Sequence, residues 1–196
     1  MMLLFLLVIL LATAAGVWFQ GLWSAAVTLV NLVLAMAIAT CFYEPVCGAI
    51  EGISAAASYK YLLDFVVLWI LFAVAYSVLR AISDVLSKNA VEFDMPVEIA
   101  GRSILAVVCG WIMVCFVAFS MQMAPLNSAT PLGAWASPAS KTFVAVSPDR
   151  LWLGFMYSRS RPAALGGKPF DPNAEFLLRY RDRRVKYAAP ETSMRF

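Results

Sequence analysis

The sequence predicts an all-α membrane protein: four transmembrane helices with a surface amphipathic extension and a partly ordered soluble tail. Three observations predict it. Four hydrophobic blocks, Leu3–Trp18, Leu22–Tyr43, Leu62–Leu79 and Ile99–Met121, fill the first two-thirds of the 196-residue chain. Each meets or approaches the roughly 17–25 apolar residues a helix needs to cross a hydrocarbon core of about 30 Å. The composition is 62% hydrophobic and 14% charged, with a mean hydropathy of +0.79; soluble domains carry about 25% charged residues. Finally, charge is partitioned along the chain. Met1–Tyr43 has no charged side chain, and 11 of the 15 Lys and Arg lie at or beyond Lys141. The net charge of +3 therefore averages two unlike parts, a membrane domain over 1–124 and a basic extramembrane tail over 125–196.

The first block is expected to stay as an uncleaved span. Ala12-Thr13-Ala14 resembles a signal-peptide cleavage site, but a basic n-region is missing and the apolar run continues through Val17, Trp18 and Phe19. Gly16, Gln20, Gly21 and Ser24 mark a tight turn into the second block. Trp18 and Trp23 flank it, and indole rings favour the headgroup interface, so the first two spans form an antiparallel hairpin. Asn31 is the deepest strongly polar side chain and is expected to make one interhelical hydrogen bond. Glu44-Pro45 is expected to end the second span, because Pro cannot continue the ladder. Val46–Ser58 is read as a short surface helix.

The third block opens at Tyr59-Lys60-Tyr61, where Asp64 is expected to pair with Lys60 at the interface. It continues as an amphipathic helix with Leu79, Ile82, Val85 and Leu86 on one face and Arg80, Asp84 and Lys88 four apart on another. That extension is expected to lie along the headgroups or cover the base of the bundle. Phe93–Pro96 breaks it before the fourth span, which ends near Pro125. Ala73 and Ser77, and Ala106 and Gly110, have the small-x-x-x-small spacing that lets helices approach closely in lipid. They serve either packing within one chain or a dimer face.

Orientation follows from short loops. Arg80, Lys88 and Arg102 surround the connection between the third and fourth spans, whereas only Lys60 lies between the second and third. That places the former in the cytoplasm and both termini on the outer side.

In the tail, Pro125–Ser140 reads as a linker. Ser147-Pro148-Asp149 is a helix start, with a side-chain cap, Pro in the first turn and an acid at the positive dipole end. Leu151–Tyr157 is too short to span; it either rests on the bilayer with Trp152 and Phe155 inserted or packs on the bundle. Gly166-Gly167 and Pro169 make a second break. Arg179, Arg181, Arg183, Arg184 and Lys186, interleaved with Phe176, Tyr180 and Tyr187, form the basic part. Its three readings are a solvated face, a contact with anionic lipid or protein, and a nucleic-acid surface. The last is set aside, since an outside tail would meet no nucleic acid.

The four cysteines do not read as a disulfide framework. Cys109 and Cys115 are six residues apart on one helix, roughly 9 Å along its axis, and buried thiols behave as small hydrophobes. Without histidine there is no Ser–His or Cys–His nucleophile pair and no imidazole metal ligand. No Walker-type phosphate loop is present. Intramembrane ionisable groups, the usual mark of an ion-coupled transporter, are scarce. No catalytic, cofactor-binding or metal residue is therefore assigned, and no enzyme activity or cofactor is expected.

The arrangement resembles the colicin V production protein family over roughly residues 5–122. The resemblance rests on Gln20-Gly21-Leu22 after the first span, the aromatic Phe42-Tyr43 ending the second, and the long third span running into Arg80–Lys88. It also rests on Glu98-Ile99-Ala100-Gly101-Arg102 and Gly110 at the fourth. Gln20 replaces the family's usual basic residue before the turn glycine, Ala106 takes one of its glycine positions, and the tail has no counterpart. Gly21, Gly101 and Gly110 are the matched positions, with packing or turning roles. The resemblance implies a non-enzymatic bacterial inner-membrane protein, accessory or scaffold in toxin production, toxin export or envelope maintenance. Its partners would be the bilayer and other membrane proteins or copies of itself. A small oligomeric channel or transporter, and a structural subunit of a larger membrane complex, are the alternatives.

Overall fold

A computed structural model describes residues 2–51, 60–87, 93–124, 146–160 and 170–188, the side chains of 60, 61 and 186–188 excepted. Among the described residues the chain is all-helical: α1 (Met2–Trp18), α2 (Leu22–Glu51), α3 (Lys60–Leu86), α4 (Met95–Met123), α5 (Pro148–Ser160) and α6 (Phe176–Ala188). Helices α2, α3 and α4 are long and apolar enough to cross a membrane. Helix α1 is equally apolar but has 17 residues, at the lower edge of spanning length.

The long helices pair antiparallel. Gly21, at φ 82°, makes the turn from α1 to α2 in a conformation that L side chains rarely adopt. Gly16 does not belong to that turn. It sits inside α1, and a Cβ placed on it would meet nothing within 4 Å. Against α4, α1 packs closely: a Cβ on Gly110 would lie 2.8 Å from the Leu10 carbonyl oxygen and 3.5 Å from Ala14 Cβ. Gly101 plays the same part toward α2, where a Cβ would come 2.7 Å from the Leu22 side chain. Ala106 is buried in the same core. The small residues of α4 thus serve packing within one chain. Ala73 and Ser77 do not, since both are exposed on the outer side of α3.

Two expected boundaries shift, and one expected face does. Helix α2 does not stop at Glu44 but runs to Glu51 with Pro45 inside it. Pro45 removes its own N–H from the ladder and crowds the carbonyl one turn back, yet α2 packs along its length against α3 and α4 and continues past it. Of the proposed surface helix over Val46–Ser58, the first six residues belong to α2 and the rest lie outside the described residues. Helix α3 is continuous to Leu86, but Ile82, Val85 and Leu86 are exposed, so this face does not cover the bundle base. It prolongs an outward apolar stripe through Val66, Ile70, Val74 and Val78.

A column of aromatic rings runs through the bundle. Tyr76 stacks on Phe72 at 6.0 Å, Phe72 and Trp69 meet Phe116 at 5.2 and 5.7 Å, and Phe116 meets Phe119 at 6.2 Å. The column continues into α6, where Phe119 stacks on Phe176 at 4.9 Å. Large rings bury more area per side chain than aliphatic residues and add specific edge and offset contacts. This column ties the tail to the membrane helices.

Candidate functional site

Two polar layers close the ends of the apolar bundle. At the end holding the α1–α2 turn, Asn31, Thr28 and Ser24 line one face of α2. Ser83 donates to Asn31 Oδ1 at 3.0 Å, the interhelical bond expected for Asn31. Its Nδ2 has no partner among the described residues. Arg80 donates to Thr28 Oγ1 at 3.0 Å and to Ser24 Oγ at 3.3 Å, and pairs with Asp84 at 3.1 Å. Thr28 in turn donates to Gln20 Oε1 at 2.9 Å. Arg102 lies 4.2 Å from the centre of the Trp18 ring, a cation–π contact. Trp18 donates to Ser103 Oγ at 3.2 Å and Trp23 to Ser87 Oγ at 2.5 Å. Lys88, expected to extend the Arg80–Asp84 series, lies outside the described residues.

The opposite end is covered by α5 and α6. Helix α5 lays Trp152 and Met156 into the core, with Trp152 donating to Thr40 Oγ1 at 3.2 Å. Leu151 and Phe155 remain exposed. Trp152 is thus held by the bundle, and only Phe155 of the expected pair faces outward. Asp149 stands in the first turn of α5, as expected; it is buried and accepts from Gln122 Nε2 at 3.0 Å.

Helix α6 supplies the rest of the cap. Both Asp171 carboxylate oxygens accept from the Phe176 N–H at 3.2 Å, and one accepts from Glu175 N–H at 2.8 Å. This caps the helix where its N–H groups lack partners. Phe176, Arg179, Tyr180, Arg183 and Arg184 then fall on one face. Arg179 donates to Glu44 Oε1 at 2.5 Å and to Tyr43 Oη at 3.3 Å. Tyr180 donates to Asp64 Oδ2 at 2.6 Å, and Arg183 reaches the same oxygen at 2.5 Å. Arg184 donates to the Gln122 carbonyl and side-chain oxygens at 3.0 and 3.2 Å.

Electrostatics fix these roles. Burial first, then the adjacent Asp64 carboxylate, pushes the Tyr180 hydroxyl above its ordinary range, so it stays a donor. Burial alone would lower the Arg179 guanidinium, but its hydrogen bond to Glu44, with the nearby Tyr180 and Tyr43, outweighs this and raises it. Burial lowers Arg184, which still remains charged because a guanidinium starts so high.

The basic tail is therefore not a uniformly solvated face. Arg179, Arg183 and Arg184 fasten it to the bundle, Arg181 is exposed, and the Lys186 side chain lies outside the described residues. Asp64 faces Tyr180 and Arg183 of α6; the side chain of its expected partner Lys60 also lies outside them. Sequence reasoning missed Glu44, Gln122, Asp149 and Tyr180 as cap residues. A signal was available: three polar residues stand at the ends of apolar blocks that an alternating topology brings to one side, facing a helix with cations at i, i+4 spacing. All four cysteines are free. Cys41 is exposed, unlike the other three. Among the described residues no group of His, Cys, Asp or Glu can hold a metal ion.

No family model, curated protein or solved structure matches the chain.

Proposed function

We propose that the protein is a non-enzymatic accessory or scaffold factor of a bacterial inner membrane, in keeping with its resemblance to the colicin V production family, with roles in toxin export or envelope maintenance. The observation that carries this reading is the saturation of the cap. Glu44, Asp64 and Gln122 at the bundle end are engaged by α6 itself, so these three groups hold a structure together and do not converge on a substrate. Between the two polar layers the core is apolar and aromatic, which favours a solid bundle over an ion path. In this reading α1 is a fourth span, lying lengthwise against α4. The end that holds Arg80 and Arg102 faces the cytoplasm, and the cap lies outside. The tail's arginines count little against that orientation because Glu44 and Asp64 pair with two of them.

Three experiments test it. Pull-down in mild detergent should return unlike membrane proteins, and proteoliposomes should hold their ions; a steady leak would instead identify a channel. A reporter active only outside the cytoplasm, fused after Phe196, should be active. Self-association is the second reading, favoured by Ala73 and Ser77 on the outer face of α3. Cysteine crosslinking at Ser77 in native membranes should give a chain dimer if it holds.

A further inference from the structure

A cavity of about 810 Å³ lies between α2, the end of α5 and the segment leading into α6. That is within the roughly 300–1,000 Å³ range of small-ligand sites. Its lining changes character along its length. Val33, Leu34, Ala37 and Cys41 form a wall along α2 that reaches Glu44 and Pro45. From Val33 to Pro45 the wall runs about 18 Å along the helix, starting near the middle of a helix of spanning length and ending at the charged cap. The far end is polar, with Arg159, Asp171, Glu175 and Arg179 among its residues.

Two of these charges are uncommitted. Arg179 and Glu44 pair with each other, and the Asp171 carboxylate caps α6. Among the described residues Arg159 and Glu175 have no ion pair, both are exposed, and they carry opposite signs. An apolar slot that opens beside one cation and one anion matches one component of a membrane. Acyl carbons would lie on Val33, Leu34 and Ala37, a phosphate at Arg159, and an ammonium group at Glu175. An anionic lipid would satisfy Arg159 but place its headgroup charge against the carboxylates of Glu175 and Asp171.

We propose that this cavity is a binding site for one zwitterionic aminophospholipid, with Arg159 holding the phosphate and Glu175 the headgroup ammonium. Phe155, exposed on the rim, packs against the acyl chain. The lipid would fill the gap between α2 and the cap from the bilayer side.

The test uses the full chain in nanodiscs of equal parts phosphatidylethanolamine and phosphatidylglycerol, followed by native mass spectrometry. One lipid should be retained per chain, with phosphatidylethanolamine favoured at least fivefold. Arg159→Ala should lower retention at least fivefold. Glu175→Gln should keep retention but bring the preference near unity. Ala37→Phe, which fills the apolar slot, should lower retention of both lipids. A readout without substitution is alkylation of Cys41 by N-ethylmaleimide, which should be at least fivefold slower in phosphatidylethanolamine nanodiscs than in phosphatidylglycerol ones. Equal retention of the two lipids by the unaltered chain, retention unaffected by Arg159→Ala and Ala37→Phe, or a peptide or second copy in the cavity would each overturn the proposal.

Discussion

At the scale of single residues, Asp64 has the most concentrated role. Its side chain is 8% exposed, whereas Arg183 beside it is 40% exposed, so the carboxylate is the desolvated partner. A hydrogen bond to a charged group contributes about 1.5–3 kcal/mol, against about 1 kcal/mol for an average one. Asp64→Asn keeps the shape but removes the charge that both Tyr180 and Arg183 address. It should destabilise α6 docking by about 2 kcal/mol, read as faster amide exchange across Phe176–Ala188. Tyr180→Phe should lose less, because Arg183 still satisfies the carboxylate. The two glycines of the α1 region make a matched pair. Gly110→Ala drives a methyl group into the Leu10 carbonyl, a backbone atom that cannot swing away, and should destabilise by about 1–3 kcal/mol. Gly16→Ala meets open space inside a helix and should stabilise by about 0.5–1 kcal/mol. Thermal unfolding in detergent separates the two by sign.

At the scale of elements, apolar blocks were legible because lipid leaves a helix one solution. Every backbone group must be satisfied within the segment, and the side chains must be apolar wherever they meet hydrocarbon. That is why the blocks of α2, α3 and α4 could be read from composition, and why the Gly21 turn fell where expected; Pro96, expected to belong to a break, instead occupies the first turn of α4, where a missing N–H costs nothing. The end of α2 was misplaced because Pro was treated as a terminator, when a helix with neighbours on both sides of a Pro can continue. Outward and inward faces were not legible. In a span both are apolar, so Ala73 and Ser77 on α3 looked like Ala106 and Gly110 on α4, yet one pair faces out and the other packs. The outward stripe of α3 carries its own prediction. Val74 is 57% exposed near the middle of α3, so Val74→Lys should oppose insertion by about 2.5–3.5 kcal/mol. Glycosylation mapping of the inserted fraction measures this, with Val74→Leu as the neutral control.

At the scale of the whole molecule, the question is what keeps the cap on the bundle. Its partners were hidden from the sequence because they are remote: Arg179 and Glu44 are 135 residues apart, Tyr180 and Asp64 116. No local periodicity encodes such pairings. The ion pairs invite the conclusion that charge holds the cap, but magnitudes favour the rings. Arg179 and Glu44 are 43% and 50% exposed, and pairs of that kind contribute about 0–1 kcal/mol. Phe176 is buried between Phe119, Phe170 and Tyr180, and removing a buried Phe side chain costs about 3–5 kcal/mol. Phe176→Ala should therefore release α6 where Arg179→Ala leaves it docked. One molar salt, which shortens the screening length to about 3 Å, should speed exchange in α6 only slightly, because Asp64 is shielded and the aromatic contacts do not respond to ions. If salt alone freed the helix while Phe176→Ala did not, the cap would be an electrostatic latch. The packing instead makes it an extension of the membrane core, with its arginines setting the register in which the rings meet.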